Sequence, residues 1–345
     1  MKMQTDIISL GNELHHCASI ALVPAGFGFD YAITFYYGKE CTDDQRVVVC
    51  FMNKDGSVGS KIYLEHKTGN PVLFNYGNKL FLLYSVFTDA TEDGIPIDYG
   101  RRPVRRWMNC DNYIAEIIKA NEGFELSNIN KIDGAYGRLA RISPSLVATT
   151  KEGNKLLIPM YREEDPICEI WTFDGEKVEK LSEFGLPQDD LSYAQGSLGE
   201  GYAIQPTLFH HKGSIHALCR NVTRDHENAF YFNSQDGGAT WSKASLAQIP
   251  NHNNSISSVN HNDDVYFVYN LERSRNSMVL SSINSNMRMP IHRPMPTPRV
   301  SYSYPNMISC GDALHVVHSN CSKIVWHRFD KDFLDECFPK IAPTA

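Results

Sequence analysis

The chain is short of the features that most readily announce a function. Its opening, Met-Lys-Met-Gln-Thr-Asp-Ile-Ile-Ser-Leu, has no apolar core of signal-peptide length. No hydrophobic run reaches the roughly 20 residues that a membrane-spanning helix needs. A cytoplasmic location without membrane insertion is therefore expected, with release by lysis or as part of a particle left open. The nine cysteines are odd in number and carry no C-x-x-C spacing, so neither a disulfide framework nor a zinc ribbon is expected. Positive charge is also scarce: 33 Lys and Arg against 40 Asp and Glu give a net charge of −7, which excludes a general affinity for nucleic acid. The one basic cluster, Arg101-Arg-Pro-Val-Arg-Arg106, reads as a solvated loop or as a contact for an acidic glycan. Helical periodicity is nearly missing as well.

What is present is a succession of short runs rich in β-branched and aromatic residues. Examples are Asp30–Tyr37, Arg46–Met52, Lys79–Val86, Lys155–Tyr161, Asp264–Tyr269 and Ala313–His318, each bounded by Gly, Asn, Asp or Pro. Asn112–Lys119 alternates well enough to be read as a strand too. Between two such runs stands Ser234-Gln-Asp236-Gly-Gly238-Ala-Thr240-Trp241. Its Ser and Asp can bond nearby backbone groups, its Gly pair permits positive φ, and its Trp offers a large packing surface. Weaker echoes of this turn occur around Asp55, Gly123, Asp174, Asn284 and Asp330. With anchors at 55, 121, 174, 236, 284 and 330, the spacing is 46 to 66 residues, the length of a four-stranded propeller blade with its loops. The expectation is an all-β, six-bladed β-propeller forming one domain over residues 1–345.

The S-x-D-x-G-x-T-W string matches the Asp box of the sialidase superfamily. Other segments are similar to the bacterial BNR-repeat, sialidase-like branch of that superfamily: Ile204-Gln-Pro-Thr207, Leu218-Cys-Arg-Asn221, Ile249-Pro-Asn251, Val268-Tyr-Asn270 and Ser301-Tyr-Ser-Tyr-Pro305. His15-His-Cys-Ala-Ser19, Thr68-Gly-Asn-Pro71 and Leu157–Glu163 fit the same pattern. The resemblance implies a propeller with its site at the mouth of the central channel. Sialidases hold there three arginines for the sugar carboxylate, a tyrosine nucleophile coupled to a glutamate, and an aspartate acid/base.

On that pattern Arg220 and Arg275 match two of the arginines, whose planar forks suit a carboxylate. Tyr302 matches the nucleophile. In the loop Gly38–Arg46, Asp44 matches the acid/base, with Glu40 four residues ahead as a second carboxylate. Glu163 is a further candidate carboxylate in the mouth, and Arg141 a candidate third cation. Two positions depart from the sialidase pattern. Gln205 stands where the glutamate belongs, and an amide cannot take the tyrosine's proton. His15-His16 stands where the first arginine belongs; either histidine titrates near neutrality and is a candidate base or ligand contact. His210, His211 and His216 do not suggest a metal, because adjacent strand residues point to opposite faces. No cofactor or metal is expected.

Three functions fit. The first is an exo-glycosidase hydrolysing a terminal acidic sugar, different from a standard sialidase. The second is a polysaccharide lyase acting beside a uronic acid by β-elimination, and the third a glycan-binding propeller without catalysis. All share an acidic sugar or glycan as partner.

Overall fold

A computed structural model of the protein describes residues 3–11, 13–40, 42–88, 91–92, 95–96, 109–141, 147–150, 153–163, 167–186, 203–222, 227–292 and 301–339. The basic run 101–106 lies outside the described residues. The chain forms a six-bladed β-propeller. A first strand, β1 (Met3–Ile8), is followed by blade one: β2 (His15–Leu22), β3 (Tyr31–Tyr37), β4 (Arg46–Met52) and β5 (Val58–His66). Blade two comprises β6 (Thr68–Tyr76), β7 (Lys79–Phe87), β10 (Cys110–Ala120) and β11 (Gly123–Lys131), interrupted by the small hairpin β8 (Thr91–Glu92) and β9 (Ile95–Pro96). In blade three, β12 (Leu139–Ala140) and β13 (Val147–Thr150) both pair with β14 (Gly153–Tyr161), followed by β15 (Ile167–Phe173) and β16 (Val178–Gly185).

Blade four is β17 (Ala203–His211), β18 (Ser214–Asn221), β19 (Asn228–Ser234) and β20 (Ser245–Pro250). Blade five is β21 (Ser257–His261), β22 (Asp264–Asn270), β23 (Met278–Ser282) and β24 (Arg288–His292). Blade six is β25 (Tyr302–Cys310), β26 (Ala313–Asn320) and β27 (Lys323–Phe329), with β1 as its outer strand. The short helix α1 (Lys331–Cys337) follows.

The sequence pattern explains this stacking. A strand turns alternate residues to opposite faces, and a blade has a neighbour on each face. In β4, Val47, Val49 and Phe51 enter the cluster between blades one and two. Val48, Cys50 and Met52 enter the cluster between blades six and one. All six are fully buried, which is why β4 reads as an unbroken apolar run. Six such clusters fill the six blade interfaces.

The repeated turns fall where the third strand of each blade passes to the fourth. In blade four, Asp236 accepts from the backbone N–H and hydroxyl of Thr240 and from the Ser234 hydroxyl, at 2.6–2.8 Å. Trp241 packs on Phe184 of blade three with ring centroids 4.6 Å apart, and donates to Ser182 Oγ at 3.2 Å. Asp55 and Asp174 make the same kind of turn, each accepting from backbone N–H groups two or three residues on. The sixth echo, Asp330, caps α1 instead by accepting from Phe333 N at 2.9 Å, because blade six takes its outer strand from the N-terminus.

That outer strand closes the ring. β1 pairs with β27 from Met3↔Phe329 to Ile8↔Ile324, and Arg328 forms an ion pair with Asp6 while stacking 4.0 Å over Trp326. Behind the seam Trp326 Nε1 donates to His315 Nδ1 at 3.2 Å, and the imidazole lies 4.7 Å from the Tyr31 ring. Burial, then the Arg328 and His261 charges, lower His315 from the ordinary 6.5 to about 4. Its folded value lies below its unfolded one. Its contribution is therefore complete above about pH 6.5 and is lost as the pH falls toward 4, amounting to about 3 kcal/mol. Urea unfolding at pH 7.5, 5.5 and 4.5 should show this loss. His315→Gln, which keeps an acceptor for Trp326 but does not titrate, should remove most of it; an unchanged pH dependence in that variant would show that His315 is not the responsive group.

Candidate functional site at the channel mouth

Four inner strands carry the same irregularity near their first residues. The ladder slips between His16 and Ser19 in β2, Gly69 and Val72 in β6, Ile204 and Thr207 in β17, and Ser303 and Asn306 in β25. At each slip one non-glycine residue adopts positive φ: Cys17 (60°), Asn70 (46°), Gln205 (51°) and Tyr304 (53°). In three of them proline follows and supplies no N–H to the ladder. Such bulges re-aim side chains. Here they turn residues of several blades toward one another at the end of the ring opposite the Asp-box turns.

Tyr304 is the centre of the resulting cluster. The His16 ring from blade one meets it edge-on at 4.5 Å. The Arg141 guanidinium, just after β12 of blade three, lies 4.7 Å from its ring centroid, and that of Arg275 from blade five lies 5.6 Å away. Residues of blades one, three, five and six meet in this way only at the central channel. Gln205 of blade four donates from Nε2 to the Tyr161 hydroxyl of blade three at 3.1 Å. On the blade-one side, Tyr36 donates to Glu40 Oε1 at 2.6 Å.

The arginines are held in two ways. Arg220 Nε donates to Asn253 Oδ1 and Arg275 Nε to Asn254 Oδ1, both at 2.7 Å. Each guanidinium is thus fixed at its stem end, and Asn253 (φ 64°) and Arg275 (φ 57°) keep unusual backbone conformations to do it. Arg141 has no such tether. It is 2% exposed, and among the described residues none of its three guanidinium nitrogens has a hydrogen-bond partner.

The electrostatics follow from this geometry. Burial, with the Arg141 and Arg275 charges, lowers His16 to about 3, so it is neutral over the physiological range. Its Nδ1 is shut from solvent and has no hydrogen-bond partner among the described residues. Burial pushes the Tyr36 and Tyr161 phenols well up, aided at Tyr161 by the nearby Glu163 charge, and raises the Cys17 thiol to about 11.

Of the residues expected from sequence, the structure brings His16, Arg141, Arg220, Gln205, Arg275, Glu40 and Glu163 to this region. Tyr302 lies apart: its side chain is 4% exposed in the core between blades five and six, 5.8 Å from the His318 ring. Regular alternation would keep Tyr302 and Tyr304 on one face; the bulge separates them. His15 also faces away from the mouth. It donates from Nδ1 to Glu13 O at 2.7 Å, accepts from Leu10 N at Nε2, and stacks on Phe35. Asp44 is exposed on its loop, next to Asp43, which faces Lys67 at 3.8 Å. Sequence reasoning missed Tyr304, Tyr161, Tyr36, Asn253 and Asn254 as site residues. Tyr304 had a signal: it precedes Pro305 as Gln205 precedes Pro206 and Asn70 precedes Pro71.

Residues 54–316 match the model of the BNR repeat-like domain family. No curated protein matches the sequence. Among solved structures, a protein of unknown function from Dyadobacter fermentans superposes with a TM-score of 0.68 at 8% identity, covering 95% of this chain and 99% of that one. A mutant of NanB sialidase from Streptococcus pneumoniae gives 0.60 at 11% identity, over 95% of this chain and 70% of that one. Trypanosoma rangeli sialidase, also solved with sialic acid, gives 0.57 at 14% identity over 92% of this chain, which spans only 55% of that chain's length. The ordered blades, the Asp box and the match over most of the sequence together place the chain in the BNR repeat-like family, as a sialidase-like propeller.

Proposed function

We propose that the protein takes the acidic sugar at the end of a glycan into the channel mouth and hydrolyses the bond joining it to the rest. The observation that carries this reading is Arg141, a buried guanidinium whose nitrogens have no hydrogen-bond partner among the described residues. Burying a cation without a counter-charge costs several kcal/mol, and a ligand carboxylate on its fork removes that cost. Arg220 and Arg275 are tethered through Nε, and Arg275 Nη2 also reaches Asn253 O at 3.4 Å; their remaining guanidinium N–H groups can meet the same anion. Tyr304 lies among these cations, where it can meet the anomeric carbon. Glu40, held by Tyr36, is the acceptor carboxylate of the rim. The sialidases of similar fold are consistent with an acidic sugar as partner.

One observation favours a second reading, β-elimination beside a uronate. His16 is unprotonated and meets the edge of Tyr304 close to Arg141. Its low value is due in part to the arginines. A carboxylate bound to Arg141 offsets that repulsion and makes the imidazole a stronger base once substrate is in place.

The products separate the readings. With glycans ending in sialic acid or a hexuronic acid, hydrolysis yields a new reducing end and no ultraviolet-absorbing product. A conjugated, absorbing product would replace hydrolysis by elimination, and binding with neither product would reduce the site to a glycan receptor. Arg141→Met gives an independent check. It should lower affinity for the sugar acid at least ~30-fold, as expected from ~2 kcal/mol or more for a buried charge contact. It should also stabilise the ligand-free protein by about 1–4 kcal/mol, since an apolar side chain replaces an unpaired buried ion. Destabilisation with unchanged binding, measured by thermal unfolding and calorimetric titration, would show that Arg141 is a structural residue.

A further inference from the structure

We infer that Tyr161 is the proton donor of this site and that Gln205 is the residue that aims it; the inference rests on the acidic-glycan reading above. Tyr161 ends β14 and is 2% exposed. Its hydroxyl oxygen accepts the Gln205 Nε2–H at 3.1 Å. An oxygen that accepts an amide N–H keeps its own proton for another acceptor, and no described group takes it. The Gln205 Oε1 atom is also buried and unpartnered, which makes it an acceptor for a sugar hydroxyl.

A carboxylate at position 205 would reverse this polarity. It would accept the phenol proton and hold it within the protein. The amide does the opposite, donating to the phenol and leaving the proton at the mouth. Glu40 does not compete for the role, because the oxygen it turns inward already accepts from Tyr36. The mouth therefore carries an accepting carboxylate on blade one and a donating phenol on blade three, with Tyr304 close to both.

The surroundings suit transfer in both directions. Burial and Glu163 keep the resting phenol protonated, whereas the Gln205 N–H and the Arg141 charge favour the phenolate. As the glycosidic C–O bond breaks, its electron pair moves onto the leaving oxygen, which takes the Tyr161 proton and departs as an alcohol. In hydrolysis the proton of the attacking water restores the phenol. In elimination the proton removed from the carbon beside the carboxylate does so.

The test combines two variants with two kinds of substrate. Tyr161→Phe removes only the hydroxyl and should lower kcat on a natural acidic glycan ~100-fold, the lower range for loss of a general acid. On the nitrophenyl glycoside of the same sugar, whose leaving group needs no proton, the loss should stay below ~10-fold. Gln205→Glu should lower kcat on the natural glycan as well. Equal losses on both substrates in Tyr161→Phe, or a gain of turnover in Gln205→Glu, would overturn the inference. A third readout does not need turnover. In protein carrying tyrosine labelled with 13C at the hydroxyl-bearing carbon, the signal missing from Tyr161→Phe should shift when glucuronic acid or sialic acid is added. In Gln205→Glu that shift should be absent. If the wild type cleaves by elimination and the signal shifts, the hydrolytic reading fails and the donor assignment stands; cleavage of neither kind overturns the donor assignment, and a signal that ignores both acids removes Tyr161 from the site.

Discussion

Every other feature depends on closure of the ring. Each blade is a thin sheet with two apolar faces, and each face is covered only by a neighbouring blade. An open array would expose one face of blade one and one of blade six, a large patch that a soluble protein rarely tolerates. β1 prevents this by pairing along the whole of β27. The same seam supports the site. The Cys17 backbone N–H donates to Ser319 Oγ at 3.0 Å and that of His15 to Cys321 O, so the bulge that presents His16 is bonded to blade six. Tyr304 and His16 meet across this seam, which makes the centre of the site a product of closure.

The second constraint is the cost of holding charge in the mouth. Three guanidiniums converge there, yet among the described residues only two have side-chain acceptors, and those acceptors are neutral amides. An asparagine oxygen orients an arginine without cancelling its charge, so the field is kept for an anion. Arg141, without an acceptor among the described residues, carries the greater cost. Full neutralisation by protein carboxylates would make the fold more stable and the mouth useless for binding an acid, the usual opposition between stability and function.

Much of the architecture was legible because it rests on local rules. Period-two alternation and turn chemistry act over a few residues, so β4 and the Asp236 turn could be read directly, and the spacing of weak turns gave the number of blades. The arginines were legible through residue type. The finer site was not, because it depends on backbone irregularity. Tyr302 and Tyr304 differ by two places, and His15 and His16 by one; the bulge at each pair decides which side chain reaches the channel. Nothing in the residue types distinguishes them. Asn253 and Asn254 belong to the site only through contacts with Arg220 and Arg275, which lie 33 and 21 residues away. Asp44 illustrates the converse. Its loop drew notice through its carboxylates, and Glu40, through Tyr36, is the one joined to the cluster.

The two departures from the sialidase pattern are better considered together than singly. Neutral His16 in place of an arginine removes one positive charge from the mouth, and Gln205 in place of a glutamate removes one negative charge. Their sum is zero, so the field on a bound acid changes in direction more than in strength. Arg141 then supplies a cation from blade three, 4.7 Å from the Tyr304 ring centroid and within electrostatic reach of Gln205's partner Tyr161. Loss of one charge of each sign at positions 16 and 205, with a buried cation at Arg141, leaves the net charge of the mouth unchanged and moves where that charge sits.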